Sequence, residues 1–219
     1  IVENDEKLKL HSFLKKWLDT KIIDELDSLL KLKSMNSVNA QIRALSYQLY
    51  ENNGVVKREE VLAIINNLSQ DDRKTLRNLG VKFGRYHIFL FKLFKPSVVS
   101  LRILLWKNFN GEDLNLFPPT FGLNFVNDSK YKNKKFMLLC GFEKFDSFFV
   151  RIDILERLFI EIINSNESKS DKIKLIPKML NLLGCNKESF VKIIKLMGYK
   201  VFDEKNETFF KYKPFKKIK

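Results

Sequence analysis

The sequence predicts a mainly helical protein with short β-hairpins, of the α+β class, built as two units joined by a linker. Three observations predict it. Long stretches space their apolar residues three and four apart, two later stretches turn to aromatic-rich alternation around a glycine or a polar tip, and residues 112–135 gather Pro, Gly, Asn and Lys. With 219 residues, 45% hydrophobic and 30% charged, the chain can bury the core of one large domain or two small ones.

Residues 3–33 read as one or two amphipathic helices, with Leu10, Phe13, Leu14, Trp17 and Leu18 inward, then Ile22, Ile23, Leu26, Leu29 and Leu30. Ser37 or Asn39 caps the next helix, whose inner stripe is Ile42, Leu45, Leu49 and Tyr50 and whose end is Asn53-Gly54. Val55-Val56 precedes a helix from Arg58 to Leu68, and Ser69, with Asp71 and Asp72 in the first turn, starts another that stops at Gly80. VKF and YHIFLF then form a hairpin, with a helix over 89–94 as the competing reading. Pro96 opens a helix over 97–109, apolar on most faces and expected to be buried.

Beyond the linker, FMLLCGF and SFFVRI read as strands, and VRIDILERLFIEIIN as a helix with Ile152, Leu155, Leu158, Phe159 and Ile162 inward. Residues 164–173 are polar and expected to be mobile. A helix over 176–183, a turn at Gly184-Cys185-Asn186, a helix over 187–197 and the hairpin YKVFDEKNETFFKY complete the chain. Helix, helix, turn, helix, hairpin is the winged-helix order, in which the third helix can enter a major groove and the wing touches the backbone. An internal echo extends it: LRNLGVKFGRYHIFLF resembles IKLMGYKVFDEKNETFF. Two winged-helix-like units are therefore expected near residues 38–94 and 151–213, and the domain reading is 1–37 N-terminal helices, 38–111 first unit, 112–135 linker and 136–219 second unit.

Charge is informative only through its distribution. The net +14 rests on 32 Lys and 8 Arg, and an AT-rich coding sequence inflates Lys by itself. Residues 1–78 hold 13 basic and 12 acidic side chains, 79–110 hold 6 and 0, 111–150 hold 5 and 5, and 151–219 hold 16 and 9. No carboxylate lies between Asp72 and Glu112, where Arg73, Arg77, Arg85 and Arg102 fall. A field of one sign attracts phosphate and speeds association with nucleic acid.

Within that block Arg73 and Arg77 lie one turn apart on a helix, followed by Lys82, Arg85, Tyr86, His87, Lys92 and Lys95. Arginine forks phosphate and stacks on bases, which makes these candidate nucleic-acid contacts. The bland alternative pairs the two arginines with Asp71, Asp72 or a helix end and packs Tyr86 and His87 inside. In the second unit Lys192 and Lys195 share a helical face with Glu188, and Lys187, Lys200 and Lys205 extend the positive edge. A solvated face of a Lys-rich protein has the same pattern. Arg157, one turn from Asp153 and from Glu161, reads as an intrahelical ion pair, and Cys140 and Cys185 as small core side chains.

The two distant cysteines suit a reducing compartment, and with His11 and His87 they offer too few ligands for a structural zinc site. No run is long and apolar enough for a membrane helix and the first thirty residues are unlike a signal peptide, so the expected location is cytoplasmic with no membrane partner. There is no GxxxxGK[ST], GxSxG, HExxH or paired-cysteine motif. No catalytic, cofactor or metal residue is assigned, and binding is the expected activity. The first residue is Ile1 rather than Met, and the expectation is a fragment of a longer protein.

A resemblance supports that expectation. LGVKFGRYHIFLFKLFKP, LRILLWKNFNG, CGFEKF with VRIDILERL, and IPKMLNLLGCNKESFVKIIKLMGYK resemble, in order, motifs near the C-terminus of alphaproteobacterial helicase-related proteins similar to the mitochondrial RNA-degradosome helicase. These are superfamily-two, DEAD/DEAH-like enzymes, and the resemblance spans about residues 40–200. It implies a parent protein whose ATP-driven core, with ATP and Mg, unwinds RNA or DNA. No catalytic residue carries over, because no position here matches the core motifs. The expected partners are RNA or DNA, the helicase core of the same chain, and a nuclease. The rival readings are a protein-interaction module docking through residues such as Phe109, Phe117 and Phe121, and a free-standing winged-helix regulator.

Overall fold

The computed structural model describes residues 4–35, 39–111, 115–165 and 172–212. It is an α+β protein: nine helices and three small antiparallel sheets among the described residues, divided into two compact units, Ile1–Asp113 and Leu114–Lys219.

The first unit opens with α1 (Asn4–Lys33), one continuous helix. Only its C-terminal half enters the core, through Leu26 and Leu32. The stripe expected to face inward, Leu10, Phe13, Leu14 and Trp17, is exposed, Trp17 at 56%. Asn39 caps α2 (Ala40–Glu51) by accepting the Ile42 N–H at 2.9 Å, while Ser37 lies outside the described residues. Ile42, Leu45 and Leu49 are buried as the period required.

Next come β1 (Val55–Lys57), α3 (Leu62–Asn66), α4 (Gln70–Asn78), β2 (Val81–Phe83) and β3 (His87–Leu90). α3 is shorter than expected because Arg58 is tied to the hairpin: its N–H donates to Tyr86 O and its Nη1 to Gly84 O. α4 starts in a capping box, Ser69 Oγ accepting from Asp72 N while Asp72 accepts the Ser69 N–H. β3 pairs with both β1 and β2, so the order is β1-β3-β2. The chain then makes a 3-10 turn over Phe91–Phe94 and enters α5 (Pro96–Asn110). α5 buries Val98, Val99, Leu101, Arg102 and Ile103, but Leu104 is exposed and Phe109 is 87% exposed, so its second half is not the buried helix its composition predicts.

The second unit contains a strand in the stretch expected as linker. Phe125–Asn127 form β4, which pairs with β6 (Phe148–Arg151), itself paired with β5 (Phe142–Phe145). FMLLC is helical, not a strand: α6 (Lys134–Leu139) begins where Asn133 Oδ1 accepts the Phe136 N–H at 3.0 Å. α7 (Ile152–Asn164) follows; of the stretch expected to be mobile, residues 166–171 lie outside the described residues, and its last residue, Ile173, begins the short β7 (Ile173–Lys174), after which come α8 (Pro177–Leu183), α9 (Lys187–Leu196), β8 (Tyr199–Glu204) and β9 (Glu207–Tyr212). The third sheet has the order β7-β9-β8. Leu155, Leu158, Met179, Leu183, Ile193 and Ile194 are buried, and Phe210 packs edge-on against Phe190 and Tyr199.

In all three sheets the strand that comes last in the chain is central. Each is built as a strand, then one or two helices, then a hairpin. No helix among the described residues is long and apolar enough to cross a membrane.

Candidate nucleic-acid interface

The predicted basic side chains of the first unit do not share one surface. Two arginines of the acid-free block serve the interior. Arg102 is 4% exposed and donates from Nη1 to Leu93 O at 3.2 Å and from Nη2 to Asn53 O at 2.6 Å. Arg73 donates from Nη2 to Ile65 O at 2.8 Å and from Nε to Leu68 O at 3.4 Å, tying α4 to backbone carbonyls at and just beyond the end of α3. A guanidinium bound to helix-end carbonyls has that much less to offer a phosphate. His87 is buried, and Tyr86 is partly so; both belong to the packed hairpin.

The other candidates fall into two places. Arg77 on α4 lies over the Phe83 ring, its Cζ 5.5 Å from the centroid, which brings the exposed helix face against β2. Lys82 is exposed on the same strand, and Arg85 is exposed in the loop that joins β2 to β3. Gly84 N–H donates to His87 O and Arg58 holds Gly84 O and Tyr86 O, so this loop is braced on both sides. Sequence reasoning missed Lys74, which is exposed on α4 three residues before Arg77; the N-cap at Ser69 fixes that phase.

Lys92 and Lys95 lie beyond the opposite end of β3, about 13 Å from the loop at ~3.3 Å per residue. Lys95 also faces Glu25. That carboxyl is held below its ordinary range chiefly by the hydrogen bond from Lys21, with Ser97 and the charge of Lys95 adding to the effect.

The N-terminal turn of α4 is acidic and unsuited to phosphate. Asp72 is committed to the capping box and to Asn39, hydrogen bonds that hold its carboxyl below the usual value. The cationic surface is therefore the C-terminal half of α4 with the β2–β3 hairpin.

The second unit repeats this plan. Lys192 and Lys195 are exposed on α9, Lys200 is exposed on β8, and Lys205 occupies the hairpin tip. Lys205 and Asn206 both have positive φ, 49° and 63°, as a two-residue type I′ turn requires. Lys192 Nζ sits 5.8 Å from the Phe148 ring centroid. Lys187 is partly neutralised by Asp203, 3.6 Å away, whose carboxyl is lowered first by the Thr208 hydroxyl and then by Lys187.

The remaining expectations resolve differently. Asp153 is gripped by Arg151 through two hydrogen bonds, of 3.0 and 2.6 Å, and Glu161 by Lys178 of α8 at 2.8 Å, so both carboxylates expected to pair with Arg157 have other partners. Cys140 is buried; Cys185 is half-buried, and burial pushes its thiol up to about 11, far from a reactive thiolate. Among the described residues no three His, Cys, Asp or Glu side chains cluster as a metal site. A concavity of about 560 Å³ between the end of α1 and α2 is lined by residues including Met35, Tyr47 and Tyr50 and holds none of the candidate cations. The chain matches no family model, no curated protein and no solved structure.

Proposed function

We propose that the chain binds RNA or DNA through phosphate contacts of low sequence preference, using two winged-helix units, residues 40–90 and 152–212. The observation that carries this reading is a repeated pairing. In each unit a helix with exposed cations, α4 or α9, leads directly into a hairpin whose loop presents a further cation, Arg85 or Lys205. A helix fitted to a groove and a wing laid on the backbone would engage both sets together. The element order helix, strand, helix, helix, hairpin in both units supports it.

The chemistry at this surface is electrostatic positioning. Arg77, Lys74, Lys82 and Arg85 in the first unit, and Lys192, Lys195, Lys200 and Lys205 in the second, offer charge-assisted donors to phosphate oxygens. On the resemblance noted above, the region serves an ATP-dependent helicase core by holding its strand, with ATP and Mg bound in that core. An anisotropy titration of a labelled RNA and a labelled DNA at two salt concentrations tests the reading. Affinity should fall with salt at a log-log slope of about 0.7 to 0.9 per phosphate neutralised. Absence of binding at low salt would defeat it.

Exposed apolar side chains favour a second reading, a module that docks on protein. Phe109, Phe117 and Phe121 are exposed, as is the Leu10, Phe13, Leu14 and Trp17 stripe of α1. Co-purification of a helicase core with this chain, lost on Trp17→Glu and unaffected by Arg85→Glu, would favour docking over nucleic-acid contact.

A further inference from the structure

The β7-β9-β8 sheet leaves one long edge open. β9 is central, so β8 borders a strand on one side only. Its six residues, Tyr199–Glu204, pair with β9 without a bulge and include no proline. The other edge strands run to two, three or four residues. The turn at Lys205-Asn206 fixes where the backbone groups of β8 point. A two-residue turn makes its flanking residues, Glu204 and Glu207, a hydrogen-bonded pair, and such pairs alternate along an antiparallel ladder. Glu204, Phe202 and Lys200 therefore bond to β9, while Val201 and Asp203 turn their N–H and C=O groups outward. The far side of β9 keeps the same count: Thr208, opposite Asp203, accepts from Leu175 N–H at 2.8 Å on the β7 side. Among the described residues no backbone partner meets the outward groups of Val201 and Asp203.

An open edge of this length is a template for another strand, and a lysine on it usually serves as a guard. Here the charges on the edge complement each other instead. Lys200, Phe202 and Glu204 lie on one face, two residues apart, with the base at one end and the acid at the other. Lys200 is exposed, and no carboxylate among the described residues pairs with it. Consider a second copy laid antiparallel, with Val201 exchanging hydrogen bonds with that copy's Asp203. Lys200 then stands directly opposite the second copy's Glu204, and the dyad repeats the pair. Phe202 faces its own equivalent at the dyad, in the closer, non-hydrogen-bonded kind of pair. Glu204 already accepts from Lys172 at 2.6 Å, and a carboxylate has room for a second ammonium. Centring the pairing on Val201 would also satisfy the backbone, but it sets Lys200 against Phe202 and leaves the charges unmatched. We propose that the outer edge of β8 pairs antiparallel with β8 of a second copy of this chain, in the register centred on Phe202. The strip is narrow, below the roughly 1,200 Å² at which stable interfaces begin, so the dimer is transient and concentration-dependent. This association goes beyond nucleic-acid binding and is measured without nucleic acid.

Sedimentation velocity of the full chain from about 1 µM to 1 mM should show a monomer–dimer equilibrium. Lys200→Glu sets like charges across both dyad-related pairs and should weaken dimerisation roughly tenfold or more, as should Glu204→Lys. The double variant Lys200→Glu/Glu204→Lys rebuilds both pairs in reverse and should recover it. Val201→Pro removes an outward N–H without touching the ladder to β9 and should abolish the dimer. Amide hydrogen exchange in the unaltered chain reads the edge directly, whatever the variants do to folding. Protection of Val201 and Asp203 should rise with concentration, whereas Lys200 and Phe202 stay protected throughout. A monomer at every concentration, a dimer indifferent to the proline and to charge reversal, or a double variant that does not recover overturns the pairing. Exchange at Val201 and Asp203 that ignores concentration does the same.

Discussion

Gly54 is where single-atom geometry is least forgiving. Its φ is 81°, its N–H donates to Leu49 O at 2.6 Å, its carbonyl accepts from Leu90 N–H, and an added Cβ would stand 2.2 Å from Leu93 Cδ1. Gly54→Ala combines left-handed strain with overpacking and should cost about 2 to 4 kcal/mol in urea unfolding. Arginine use separates just as sharply. Arg102→Met strips two carbonyls of their donors and should destabilise the first unit by about 3 kcal/mol. Arg77→Met, which gives up the contact over the Phe83 ring, should cost about 0.5 to 1 kcal/mol in urea stability and weaken nucleic-acid binding. The sequence could not tell these arginines apart, because an acid-free block reads the same whether a guanidinium meets phosphate outside or helix-end carbonyls inside.

Among the elements, α4 is the one whose limits were most legible: Ser69 and Asp72 sit at capping-box spacing, and both hydrogen bonds form. Ser69→Ala should cost about 1 kcal/mol. The lowered carboxyls of Glu25, Asp72 and Asp203 set a direction for acid unfolding. Each has a folded pKa below its unfolded one, so each contributes stability that is complete above the ordinary values of 4.5 and 3.8 and is lost as pH falls through the folded values. Thermal midpoints measured from pH 6 downward should decline below about pH 4.5, and Asp72→Asn should flatten part of that decline. Other elements left a weaker trace. FMLLC is too short and too uniformly apolar to show a period, and its only helical signal was Asn133 as N-cap. β4 and β7 are short strands in polar surroundings, defined by the partners β6 and β9 rather than by their own residues. The apolar stripe on α1 did predict a helix, but a period cannot say whether a partner covers it.

For the molecule as a whole, what the sequence carried was the order of parts, through the echo between LRNLGVKFGRYHIFLF and IKLMGYKVFDEKNETFF. The β4-β6-β5 sheet over residues 125–151, with the same placing of its last strand at the centre, escaped because its helix α6 reads as a strand and its first strand lies in the stretch expected as linker. Charge blocks along the chain likewise failed to map onto one surface: Lys92 and Lys95 leave β3 at the end remote from Arg85. That separation supplies the most direct measurement. In anisotropy titrations with an RNA and a DNA at low salt, Arg77→Glu/Arg85→Glu should weaken binding by at least roughly tenfold and lower the salt slope by about 1.4 to 1.8, whereas Lys92→Glu/Lys95→Glu should change both far less. Equal losses from the two pairs, or none from the first, would contradict a phosphate-holding surface built from α4 and its hairpin.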